Sequence, residues 1–431
     1  MASIRLLLQA VTTTGTPPVD QDFDVSGLTE TPKGAVYEAT SSGSALANHY
    51  RYTGGITDGA VHRAMGMLAE NGVLLNADAE GRFDIDTVVQ STLTTSQALN
   101  GEARMTGFHS GGSRLAWDDL CATALRLKTL YFLGDDVQCA VVEFTGNSTQ
   151  DATSAVTGLA FAPNFAFALS HYGVYSADGT TSPMRIAIGY AVRTPTGGIQ
   201  QIAFTDRQSD RPTTTEGGTV IRDDCLVAKV NNGSDGARLE VTKWTDDGLE
   251  ITTRGTSEAV TTALLLVRFA NRRLWCGIPS LTTTSTGVKP ISGLGIGKPI
   301  GYFAIATELQ SKNSSSFGSD TSKWSHGVVD SNGVEGCVGM QAQDNQATSN
   351  TSSITPARVI HVLDDSGGDS WRATHSSFDT DGFSISVDDA SSAGNRMCGF
   401  CVIGTTVEDD WLARVVRRRH RTLLWGPTRG R

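Results

Sequence analysis

Hydrophobic and polar positions alternate in three well-separated stretches of this chain. Phe383, Ile385 and Val387 alternate with Ser384 and Ser386; Leu249, Ile251 and Thr253 alternate with Glu250 and Thr252. Ser113, Leu115 and Trp117 alternate more poorly with Arg114 and Ala116. A period of two is the signature of a half-buried β-strand. Each stretch follows a glycine (Gly112, Gly248, Gly382) that sits four positions after an aromatic residue (Phe108, Trp244, Phe378). Asp247 and Asp381 precede the second and third of these glycines, and Asp-Gly suits the left-handed turn of a hairpin. Eighteen residues past each glycine lies an apolar run: Leu130–Leu133, Leu266–Phe269 or Phe400–Ile403. The blocks 108–134, 244–270 and 378–404 align without a gap, each predicting strand, loop, strand.

A second marker repeats at nearly the same interval. Gly27-Leu28, Gly158-Leu159 and Gly293-Leu294 are each followed by a proline (Pro32, Pro163, Pro299) and then an apolar strand. Strand-like runs open each copy at 4–11, 137–144 and 273–278. Two markers in the same order at matching separation predict three copies of one unit of about 135 residues. The boundaries fall at 1–136, 137–272 and 273–410. Turn-rich stretches separate the strands, and no long 3.6-residue period appears. One short helix candidate spans Ala60–Met65. The predicted fold is all-β: three tandem β-sandwich or jelly-roll-like domains plus a basic C-terminal arm, 411–431.

Composition agrees with this. Charged residues are only 19% and glycines number 47 of 431, which suits turns and strands over helices. The seven cysteines are odd in number and scattered, so they predict buried thiols rather than a disulfide framework. No apolar run approaches a membrane span and no secretory leader is legible, so a soluble protein made in a reducing cytoplasm is expected, with no membrane partner.

Candidate chemistry is sparse. Cys398 and Cys401 form a CxxC, but inside a strand, where no helix N-terminus lowers a thiol pKa, so core filling is expected. Asp364–Asp369 and Asp379–Gly382 are oxygen-rich loops that hairpin turns explain; an EF-hand would need a twelfth-position Glu and flanking helices. No HExxH, Gly-x-Ser-x-Gly or Walker loop is present. The expectation is no catalytic residue, no cofactor and no metal. The arm stands apart: it holds seven Arg and no acid. The chain's −10 includes that +7, so residues 1–410 carry −17. Apolar residues interleave with the Arg, which favours docking on protein over nucleic acid. Trp411, Arg414, Arg417, Arg418, Arg419, Arg421 and Trp425 are the candidate assembly contact.

Pro32-Lys33-Gly34-Ala35 near the start of copy one and Asp381-Gly382-Phe383 late in copy three resemble motifs in the repeats of virion structural proteins of tailed bacteriophages. Copy one departs with Gly111-Gly112-Ser113, and copy two has Asn164 after its proline. The resemblance implies a particle component in the tail or on the head surface, a homo-oligomer with other virion proteins as partners. The alternative is a receptor-binding module of a tail fibre or spike that recognises a host surface glycan.

Overall fold

In the computed structural model the described residues are 2–11, 15–40, 50–69, 79–92, 99–121, 125–171, 179–181, 184–210, 215–231, 234–255, 260–313, 321–343, 350–392 and 394–405. Every regular element among them is a strand. Copy one holds β1 (Ser3–Ala10), β2 (Val19–Asp24), β3 (Gly34–Thr40), β4 (Tyr50–Thr57), β5 (His62–Ala69), β6 (Ala79–Asp84), β7 (Val89–Thr92), β8 (Leu99–His109), β9 (Gly112–Asp119) and β10 (Arg126–Leu133). Copy two holds β11 (Val137–Thr145), β12 (Thr153–Val156), β13 (Phe165–His171), β14 (Gly179–Thr181), β15 (Met184–Arg193), β16 (Ile199–Asp210), β17 (Thr215–Arg222), β18 (Val227–Asn231), β19 (Ser234–Thr245), β20 (Gly248–Arg254) and β21 (Thr261–Phe269). Copy three holds β22 (Arg273–Gly277), β23 (Gly287–Ser292), β24 (Pro299–Thr307), β25 (Thr321–Val329), β26 (Glu335–Gln343), β27 (Asn350–Ile354), β28 (Ile360–Leu363), β29 (Asp369–Asp379), β30 (Gly382–Asp389) and β31 (Cys398–Gly404). The helix expected at 60–65 is instead part of β5, paired residue for residue with β4.

Each copy is a sandwich of a large and a small antiparallel sheet. The large sheets run β1-β10-β3-β4-β5-β6, β11-β21-β13-β15-β16-β17 and β22-β31-β24-β25-β26-β27. The small sheets run β2-β9-β8-β7, β12-β20-β19-β18 and β23-β30-β29-β28. The plan is therefore the same three times. Copy two adds one exchange: β14 extends the edge of copy one's large sheet beyond β6.

The glycine markers have one physical cause in all three copies. Gly112, Gly248 and Gly382 each open the second strand of a two-residue hairpin, β8–β9, β19–β20 or β29–β30. A Cβ at these positions would strike the carbonyl oxygen of Phe23, Val156 or Ile291 on the neighbouring edge strand. Close approach of backbone, not a left-handed turn, is what all three share; neither Gly112 nor Gly248 has positive φ. The left-handed conformation belongs to the other marker, with φ of 76° at Gly27, 87° at Gly158 and 75° at Gly293. A third set escapes sequence reading: Gly55, Gly189 and Gly327, where a Cβ would meet the carbonyl of Val88, Leu226 or Val359.

The ungapped alignment is corrected at its second strand. The strand partner of Val36 is Leu130, that of Phe167 is Leu265, and that of Phe303 is Cys401. These equivalent residues lie 18, 17 and 19 positions past the glycine, so the loop length differs in every copy. Leu130 consequently faces a different core from Leu266 and Phe400.

Four main apolar clusters result. Three are sandwich interiors, one per copy, each between its own large and small sheet. The fourth draws on all three copies, because the other faces of the three large sheets pack on one another. Phe165 of copy two lies 6.2 Å from Phe132 of copy one and 5.7 Å from Phe303 of copy three, ring centre to ring centre. The arrangement is cyclic. The amide of Leu6 in β1 donates to Asp330 of copy three (3.1 Å), that of Val141 in β11 to Asp58 of copy one (2.8 Å), and that of Cys276 in β22 to Gln200 of copy two (3.0 Å). Val192 stands in copy two where Asp58 and Asp330 stand in the others, and Gln200, opposite it in the ladder, supplies the acceptor. One chain thus closes a pseudo-threefold ring of sandwiches.

Replacing Gly189 with Ala should force backbone apart and cost roughly 2–3 kcal/mol or more. Gly158→Ala, which meets only left-handed strain and open space, should cost about 1–2 kcal/mol. Guanidinium unfolding of both variants checks this; equal losses would show that close approach at Gly189 is not what fixes the glycine.

Candidate functional site

The arm residues Trp411, Arg414, Arg417, Arg418, Arg419, Arg421 and Trp425 lie outside the described residues. The CxxC is not a redox pair in geometry: Cys398 faces the copy-three sandwich interior, whereas Cys401 faces the shared core. Burial pushes the Cys398 thiol well up, away from the reactive thiolate. The oxygen-rich loops are turns. Asp364 Oδ1 accepts from the amides of Ser366 (2.8 Å) and Gly368 (2.7 Å), and Asp381 Oδ1 from the amide of Ile296 (2.9 Å).

Where the three copies meet, the shared core contains a charged polar network. Lys128 and Glu38 face each other across β10 and β3, with Lys128 Nζ 2.6 Å from Glu38 Oε2, both 1% exposed. Glu38 Oε1 accepts from Tyr52 (2.7 Å) and pairs with His326 Nδ1 of copy three (2.6 Å). A carboxylate only accepts, so Nδ1 carries a proton, while Nε2 meets the hydroxyl of Tyr190 from copy two. Lys128 also donates to the His326 carbonyl oxygen (2.9 Å). The two opposite charges are therefore paired at close range, the condition for burying them. Burial would raise the Glu38 carboxyl, but His326 and Lys128 outweigh it and hold it down to about 2. Burial depresses His326, against the opposing pull of Glu38. Sequence reading missed this group because Glu38, Lys128, Tyr190 and His326 are far apart in the chain. The legible signal was a charged residue at a position where its siblings are apolar: Leu169 and Ile305 for Glu38, Ala263 and Gly399 for Lys128.

A half-buried acid with a displaced titration sits in copy three. Glu335 Oε2 accepts from the amide of His375 (2.5 Å), and Tyr302 hydroxyl meets His375 Nδ1 (3.2 Å). Burial raises the Glu335 carboxyl to about 7, with Asp388 adding to the rise and Arg358 opposing it.

Outside the cores the copies diverge. The outer face of the copy-two small sheet is a ladder of Thr153, Thr252 and Thr242 flanked by Arg254–Glu240, Arg254–Asp151 and Lys243–Glu250 ion pairs. Copy one instead presents Asp22, Asp24, His109 and Arg114 on the same face, beside a groove of about 400 Å³ lined by Asp20, Thr106, Phe108, His109 and Arg114. Among the described residues the large hydrophobic side chains left exposed are Val288 and Val334. Comparison with protein-family models, with curated proteins and with solved structures finds no match to this chain.

Glu38→Gln should leave Lys128 buried without its countercharge and cost about 3–5 kcal/mol; Lys128→Met should cost as much for the mirror reason. The double variant should lose much less than the sum, because neither charge is stranded. Additive losses in denaturant titrations would contradict the pairing. For Glu335 the folded value lies above the unfolded one, so the folded chain binds more protons between about 4.5 and 7 and stability falls as pH rises through that window. Glu335→Gln should flatten this fall and melt higher than the parent at pH 8; an unchanged pH profile would show that Glu335 does not titrate there.

Proposed function

We propose that the chain is a non-enzymatic structural component of a tailed-bacteriophage particle, in the tail or on the head surface, that assembles through protein–protein contacts. The observation that carries this reading is the single shared core. Three sandwiches of one plan are locked by their large sheets, and Glu38, Lys128, Tyr190 and His326 inside are engaged with one another across the copies. Such a body is a rigid brick. The motifs behind the resemblance have mechanical roles here: Lys33 leads into β3 and its amide bonds Phe132, while Gly382 lets β30 approach β23. Closed symmetry, usual for oligomers, is met here inside one chain as a pseudo-threefold. Further assembly, with copies of itself and with other virion proteins, would then use the diverged outer faces and the basic arm.

The glycan-binding alternative would be favoured by aromatic rings exposed together at one end of the sandwiches. Among the described residues Phe108 and Phe378 are half-buried and Trp244 is buried, which weighs toward the structural reading.

Deleting residues 411–431 separates folding from assembly. The truncated chain is expected to melt cooperatively like the parent, yet fail to enter particles, and full-length assembly should weaken as salt rises. A truncated chain whose third sandwich unfolds, or one that still assembles, would contradict the assignment of the arm.

A further inference from the structure

We infer that Cys276 and Cys401 form a redox-sensitive cross-strand pair, which closes to a disulfide by exchange with a small disulfide oxidant and reopens on reduction. The argument starts from the ladder. β22 is the edge strand of copy three's large sheet; it pairs with β31, and Cys276 stands directly opposite Cys401. The amide of Cys276 points away from β31 and donates to Gln200 of copy two (3.0 Å). The two cysteines are therefore a non-hydrogen-bonded pair of the antiparallel ladder. In such pairs the Cα atoms approach to about 4.5 Å and the side chains lie closer than at the alternate positions. That separation falls within the roughly 4.4–6.8 Å that a disulfide spans.

The side chains supply the second observation. Both cysteines are buried, and both belong to the shared core, so they project on the same face of the sheet. Burial and a hydrogen bond with the Cys401 thiol push the Cys276 thiol well up. Cys398, the other member of the CxxC, cannot take the place of Cys276, because it faces the sandwich interior. The fold does not require sulfur at this position. The equivalent opposed pairs are Leu6 and Leu130 in copy one and Val141 and Leu265 in copy two, and there too the β1 or β11 amide turns to the neighbouring copy. Copy three alone sets two thiols against each other there.

In the closed core the pair reacts slowly, because the attacking species is a thiolate and burial disfavours it. Exchange proceeds when β22, a five-residue strand at the sheet edge, lifts from β31. One cysteine, as thiolate, then attacks a sulfur of oxidised glutathione, forming a mixed disulfide and releasing one glutathione. The second, as thiolate, attacks the protein sulfur of that mixed disulfide, forming the Cys276–Cys401 bond and releasing the other glutathione. The two thiol protons and two electrons end on glutathione. The bridge ties the strand that opens copy three to the last strand described in it, and so removes chain freedom from the unfolded state. In a particle component, release from the host cell would bring the change from reducing to oxidising surroundings. The pair itself does not depend on that reading, and its test uses the isolated chain.

The full chain is refolded from guanidinium in oxidising or in reducing glutathione buffer, free thiols are alkylated, and unreduced digests are mapped by mass spectrometry. The oxidised sample is expected to yield a peptide joining Cys276 to Cys401 and to melt roughly 5 °C above the reduced one, with dithiothreitol reversing both. Cys276→Val, which installs the residue of copy two, should lose the bridge and the shift; Cys398→Ala should keep both. Native chain incubated in the oxidising buffer should form the same bridge more slowly, and faster as sub-denaturing guanidinium is added; this route also serves if refolding fails. Alkylation of both thiols in every oxidised sample, or a bridge from Cys401 to Cys398 instead, overturns the proposal. So does a Cys276–Cys401 bridge that lowers the melting temperature, since the core would then have to distort to admit it.

Discussion

The large sheets of this protein are buried on both faces, and nearly everything else in the structure answers to that. One face closes each sandwich; the other meets the two sister sheets around the pseudo-threefold axis. Strands in such sheets cannot alternate. All seven residues of β3 and of β31 are buried, as are eight of the nine in β21. The small-sheet strands, with one face in water, keep the period of two. Hydrogen bonds from β1, β11 and β22 to the neighbouring copy then fix the register of the ring.

A shared axis also constrains what each copy can contribute. Equivalent positions around the axis cannot all carry large side chains. Gly34 of copy one and Gly301 of copy three stand where copy two has Phe165. A Cβ on Gly34 would press on Cys139 of copy two, and one on Gly301 on Ile4 of copy one. The polar network follows the same logic, with one acid, one lysine and one phenol in copy one, one imidazole in copy three and one phenol in copy two. Three identical copies could not make it. Low identity among the copies is therefore a consequence of their packing: the interior requires complementary residues, and the exterior is free to specialise.

The fold was legible in the sequence to the extent that backbone constraints leave marks. Glycines forced by close approach or by left-handed φ recur in all three copies and gave away the repeat, and alternation located the small-sheet strands. The apolar runs carried a further message that was not read, since an unbroken run such as Leu130–Leu133 denotes burial on both faces. Copy one looked weak because Ser113 replaces Leu249 and Phe383. In the structure Tyr37 and Tyr131 fill that space and hydrogen-bond the Ser113 hydroxyl at 2.9 and 2.8 Å. The junction network and the Cys276–Cys401 pair were not legible for a different reason. Their members lie tens to hundreds of residues apart, and only strand pairing and the closing of the ring bring them together.

The central claim is that three sandwiches fold as one body around a common core. Scanning calorimetry of the intact chain tests it most directly, by comparing the measured enthalpy with the van't Hoff enthalpy of the same transition. A single transition with the two enthalpies equal is the predicted result. Resolved transitions, or a measured enthalpy about three times the van't Hoff value, would mean that the sandwiches unfold independently and that the shared core does not hold them together.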